Sequence, residues 1–93
     1  MNSPEIQEFI RQHSNLFWYT PEDQKAAISH ELLVETILNY GNLNDVRNLI
    51  HIMGMDQFSA VFTNARGRKK LNYYPEIYNF FSILIQRYAH SNI

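Results

Sequence analysis

The chain should fold as an all-α domain, a bundle of about five helices. Three observations predict this. Apolar residues recur at helical spacing through most of the 93 residues. Each of the three prolines is followed by glutamate, in Pro4-Glu5, Pro21-Glu22 and Pro75-Glu76. Proline suits the first helical position, and a carboxylate beside it meets the positive end of the helix dipole. Finally, Gly41 and Gly54 each follow an apolar-periodic run, as a glycine past a helix C-terminus does. No alternating strand of useful length interrupts this pattern.

The first helix is expected over about 4–13, capped by Ser3, with Ile6, Phe9 and Ile10 inward. Leu16-Phe17-Trp18-Tyr19 follows, too short for a helix and too apolar for a solvated linker, so Trp18 is expected to be buried. Thr20-Pro21-Glu22-Asp23 is close to a capping box and opens a short turn. A second helix over about 30–40, capped by Ser29, turns Leu33, Ile37 and Tyr40 inward with Leu32 beside them. A third spans about 45–53, capped by Asn44, with Val46, Leu49, Ile50 and Met53 inward. A fourth spans about 57–64, capped by Asp56, with Phe58, Val61 and Phe62 inward. The fifth and longest runs over about 75–88, where Ile77, Phe81, Leu84 and Tyr88 form a stripe that Phe80 and Ile85 widen. Gly41 and Gly54 should both adopt positive φ at their helix ends.

Residues 1–93 make one domain, large enough for a single core. The chain is 45% hydrophobic, which excludes a disordered segment, and its 13 aromatic residues give a core rich in rings. With no cysteine, disulfide frameworks and thiolate metal sites are excluded, and a reducing compartment fits. No apolar run approaches the roughly 20 residues that span a bilayer. The first residues show neither a basic nor an apolar leader region, so a cytoplasmic protein without membrane attachment is expected.

Enzyme chemistry finds little purchase. No two of His13, His30, His51 and His90 stand at metal-ligand spacing. No glycine-rich phosphate loop or nucleophile elbow is present. Glu31 and Glu35 share a helix face, but exposed glutamates at this spacing are ordinarily solvated. No cofactor, metal or catalytic residue is therefore expected.

The net charge of -1 conceals an asymmetry. Residues 1–45 set seven carboxylates against Arg11 and Lys25, a net of -5, whereas residues 46–93 carry +4. Four of the eight basic residues fall in Arg66-Gly67-Arg68-Lys69-Lys70, just before Tyr73 and Tyr74. That stretch suits phosphate, an acidic protein surface, or plain solvation. Upstream of it, the third and fourth helices make a helix-turn-helix-like pair if Gly54 is the turn glycine. Gln57, Thr63 and Asn64 would then face outward to read base edges, although Ile50 and Thr63 depart from the motif's usual residue types. The candidate contact set is thus Gln57, Thr63, Asn64, Arg66, Arg68, Lys69 and Lys70. Tyr73 and Tyr74 can stack bases or buttress the fifth helix.

The block Leu33-Val34-Glu35-Thr36-Ile37-Leu38-Asn39-Tyr40-Gly41-Asn42-Leu43-Asn44-Asp45, continuing to Gly54, resembles a family of short uncharacterised bacterial helical proteins. Leu16-Phe17-Trp18-Tyr19 resembles the aromatic stretch that precedes this block there. The resemblance covers about residues 14–72. Members are often encoded beside nucleotidyltransferase-type toxins of the abortive-infection kind. The resemblance implies an antitoxin-like or accessory role and brings no catalytic residue. The expectation is a non-enzymatic interaction module. Either it contacts duplex DNA through the 57–70 surface, or it binds a protein such as a toxin without DNA. The sequence leaves the oligomeric state open.

Overall fold

The computed structural model describes residues 2–64 and 72–91. Helix α1 (Pro4–Gln12) leads into a 3-10 turn, Ser14–Leu16, and a longer one, Glu22–Ala27. Then come α2 (His30–Tyr40), α3 (Leu43–Met53), α4 (Met55–Thr63) and α5 (Pro75–Ser91). Among the described residues there is no strand. The predicted all-α bundle of five helices is what forms.

Two caps are those expected. Ser3 Oγ accepts from the Ile6 N–H at 3.3 Å, and Ser29 Oγ accepts from the Leu32 N–H at 3.1 Å. Three caps are not. Thr20 caps nothing; Pro21 opens the turn Glu22–Ala27 without a side-chain hydrogen bond. Helix α3 starts two residues earlier than expected because Asn42, not Asn44, is its cap. Asn42 Oδ1 accepts from the Asp45 N–H and Asp45 Oδ2 accepts from the Asn42 N–H, both at 2.9 Å. Helix α4 also starts early, at Met55, with no side-chain cap from Asp56. The α3–α4 joint is therefore Gly54 alone, tighter than the three- or four-residue turn of a helix-turn-helix.

Asp45 does more than cap. Its Oδ1 lies 2.9 Å from His13 Nε2 at the end of α1, while His13 Nδ1 meets the Phe9 carbonyl at 2.8 Å. Burial pushes the Asp45 carboxyl up. The Asn42 N–H and the His13 ring outweigh it and hold the group below the usual carboxylate range.

Helix α2 lies at the centre, packed against α3, α4 and the first 3-10 turn, while α1 packs on α3 and on the second turn. Being central, α2 buries a wider arc than one stripe: Leu33, Val34, Thr36, Ile37 and Leu38 are all inside. Leu32, outside that arc, and Tyr40, the last residue of the helix, are exposed, contrary to expectation. Lys25 is buried too; its Nζ donates to the Ser14 carbonyl at 3.1 Å and to Glu22 at 2.8 Å, tying the two 3-10 turns together. Helix α5 joins the core by rings. Phe81 packs edge-on to Phe58 and Phe62, and Tyr78 stacks on Phe62 with centroids 5.2 Å apart. Phe81 and Ile85 are its buried pair, whereas Phe80 and Leu84 of the expected stripe are exposed.

Trp18 is the clearest correction: it is 66% exposed, and Phe17, at 2%, takes the core position instead. After the 3-10 turn Phe17 is the ring of this run that enters the core, and the next two are exposed. Phe17→Ala is therefore expected to cost about 3–5 kcal/mol, and Trp18→Ala no more than about 0.5 kcal/mol. Urea unfolding followed by circular dichroism measures both.

Only one of the two helix-end glycines has the expected backbone. Gly54 sits at φ 85°, where an L side chain is strained. Gly41 has φ -81°, and its need is space: a Cβ there would lie 2.8 Å from the Ile37 carbonyl oxygen and 3.1 Å from the Asp45 side chain. Alanine at either glycine should destabilise by about 1–3 kcal/mol, through strain at Gly54 and crowding at Gly41. A loss at Gly41 comparable to an exposed-surface substitution would contradict the crowding.

Asp45 also gives stability a pH dependence. A carboxyl held below its ordinary value of 3.8 stabilises the folded state above that pH and loses its contribution as acid protonates it. Asp45→Asn should cost about 0.5–2 kcal/mol near neutrality. The gap to the wild type should narrow as pH falls below the ordinary carboxylate range, as urea midpoints across acid pH would report.

Candidate functional site

The residues expected to contact a partner divide between two places. Thr63 and Asn64 are exposed at the end of α4 and line an open groove of about 490 Å³ with Asp56, Ala60, Ile85 and Tyr88. Gln57 is not with them. Its side chain turns to α2, where Nε2 donates to His30 Nδ1 at 3.2 Å. Within the groove Tyr88 Oη donates to Asp56 Oδ1 at 3.1 Å, so a carboxylate stands beside Thr63 and Asn64. Arg66, Arg68, Lys69 and Lys70 lie outside the described residues.

Residues 72–74 are held firmly against α2. Asn39 on α2 clamps them at two points, Nδ2 donating to the Asn72 carbonyl at 2.7 Å and Oδ1 accepting from the Tyr74 N–H at 3.1 Å. Asn72 Nδ2 in turn donates to Glu35 Oε1 at 3.0 Å. Glu35 is thus engaged in fastening residues 72–74 to α2. Of the two tyrosines after the basic stretch, Tyr73 buttresses: it is buried edge-on to Phe62, and burial, then the charges of Glu35 and Glu31, push its phenol well up. Tyr74 goes the other way and is exposed.

Tyr74 belongs to a surface that sequence periodicity did not reveal. Its ring meets Tyr40 edge-on at 5.9 Å, and its hydroxyl donates to the Tyr40 hydroxyl at 3.5 Å. That hydrogen bond, the Tyr40 charge and partial burial push the Tyr74 phenol up, and Tyr19 stands near enough to add to the effect. Tyr19 is 78% exposed and stacks on Trp18 with ring centroids 3.6 Å apart. Tyr19 also shares a shallow groove with Asp23, Gln24 and Leu32. Trp18 and Tyr19 thus make one exposed ring pair and Tyr40 and Tyr74 another, with Asp23 in the groove that Tyr19 lines and Glu35 bonded to Asn72, two residues before Tyr74. One signal in the sequence pointed here: three consecutive rings in Phe17-Trp18-Tyr19 cannot all face one core.

Among the described residues no three His, Asp or Glu side chains gather as a metal site, and no helix is long and apolar enough to cross a membrane. Comparison with protein-family models, curated proteins and solved structures returned no match for this chain.

Proposed function

We propose that this chain is a cytoplasmic, non-enzymatic interaction module that binds a protein partner through Trp18, Tyr19, Tyr40 and Tyr74. The observation that carries this reading is the exposure of these four rings in two contacting pairs, with Asp23 in the groove beside Tyr19 and Glu35 bonded to Asn72 near Tyr74. Tyr and Trp are the residues that dominate binding energy at protein interfaces, where they fill pockets on the partner. The flanking carboxylates favour a partner with basic groups at the rim of those pockets. Such a module fits the antitoxin-like or regulatory role that the sequence resemblance implies, and makes a nucleotidyltransferase-type toxin the first partner to test.

A second reading, contact with duplex DNA through the 57–70 surface, rests on the four cations of Arg66–Lys70 following the exposed Thr63 and Asn64. Two observations weigh against giving it first place. Gln57 is engaged with His30, and Asp56 would set a like charge against phosphate in the groove that Thr63 and Asn64 line.

The test compares the wild type with the Trp18→Ala/Tyr74→Ala variant. Pull-downs from the native cell identify the retained protein, and calorimetry with that protein measures affinity. The variant should keep its stability within about 1 kcal/mol and bind at least about thirtyfold more weakly. DNA as the principal partner would look different: steeply salt-dependent duplex binding, indifferent to the two rings and lost on neutralising Arg66, Arg68, Lys69 and Lys70.

A further inference from the structure

Helix α5 is apolar on two sides. Phe81 and Ile85 face the core, but Phe80 is 56% and Ile83 53% exposed, and Leu84 is exposed beside them. At 100° per residue, Glu76, Phe80, Ile83, Leu84 and Arg87 fall within an arc of about 100°, turned away from Phe81 and Ile85. All five are exposed, and among the described residues neither Glu76 nor Arg87 forms a salt bridge. A surface helix ordinarily sets polar residues on its outer face; this one carries three large apolar side chains between one acid and one base.

The order of these residues is self-complementary. About a two-fold axis crossing the helix between positions 81 and 82, Glu76 of one copy meets Arg87 of the other, and Phe80 meets Ile83. Each contact occurs twice, as an isologous interface requires. The charged residues then close the two ends of the apolar seam, where their pairing fixes its register. Antiparallel helices also bring opposite dipole ends together.

We infer that the outer face of α5 is a homodimer interface, in which two copies pair antiparallel through Phe80, Ile83 and Leu84, with Glu76 and Arg87 fixing register and direction. This interface is separate from the aromatic surface along α2 and does not rest on the partner reading. A pair of 17-residue helices makes a small interface, so a dissociation constant on the order of micromolar is expected.

Sedimentation equilibrium of the full chain from about 1 to about 500 μM tests it, with circular dichroism to verify folding. The wild type should dimerise, and Ile83→Asp should be monomeric throughout with unchanged helicity. Glu76→Arg sets cation against cation at both ends of the seam, and Arg87→Glu sets acid against acid. Each alone should weaken self-association about tenfold or more. Mixed together, these two variants restore both pairs, and the heterodimer should form with an affinity within about threefold of the wild type. A wild type that stays monomeric at the highest concentration overturns the proposal. So does a dimer whose affinity ignores both charge reversals, or a mixture that gains nothing over its components. The charge reversals lie at exposed positions, so the proposal can be judged even if Ile83→Asp fails to fold.

Discussion

The carboxylate of Asp45 is the constraint on which the first half of the structure depends. One oxygen closes the capping box with Asn42 and so sets the first turn of α3. The other receives His13 and so fixes the end of α1 against that turn. The same side chain stands where a Cβ on Gly41 would go. A single group thereby determines where α3 begins, where α1 ends and how sharply the chain turns out of α2. Each oxygen has a hydrogen-bond donor or ring nitrogen against it, which is why a partly buried carboxylate is stabilising here rather than costly.

The second half is held by different means. Helices α3 and α4 are joined by one residue, so their relative direction is set by the backbone of Gly54 and by contacts with α2. Helix α5 is attached through the ring cluster of Phe58, Phe62, Tyr73, Tyr78 and Phe81, and through the polar clamp of Asn39 on Asn72 and Tyr74. The clamp presents Tyr74 beside Tyr40. An apolar contact alone would fix position loosely; two directional hydrogen bonds to one side-chain amide fix the backbone that carries the ring.

What could be read from the sequence followed from periodicity and punctuation. Proline-glutamate pairs and serine caps located the starts of α1, α2 and α5, and Gly54 was assigned its left-handed backbone. The errors arose where two local signals competed. Asn42 and Asn44 are both able caps, and only the reciprocal partner Asp45, three residues beyond Asn42, decides between them. In Leu16-Phe17-Trp18-Tyr19 every residue is apolar, so no pattern says which ring points inward. Tyr40 lies within α2's apolar arc by angle, but it is the last residue of the helix, and periodicity does not tell where along a helix the cover ends. Gly41 shows a different limit: a glycine required by tertiary crowding looks the same in sequence as one required by φ. The candidate surface was legible only as composition, since its rings come from three separate segments that α2 brings together.

The aromatic surface and the outer face of α5 are adjoining parts of one design problem. Exposed rings and exposed aliphatics both carry a solubility cost, and nothing in the core gains from them. Tyr74 immediately precedes Pro75, the first residue of α5, so pairing through α5 would carry the two aromatic surfaces into one assembly. With the axis between positions 81 and 82, the two Tyr74 residues would stand about 20 Å apart along the helix pair, at 1.5 Å per residue. A two-fold partner could then engage both surfaces at once, and the second contact would form at a high effective concentration. A weak dimer interface and a modest ring surface would, in that arrangement, each strengthen the other, because partner binding selects the paired state and pairing presents the surface twice.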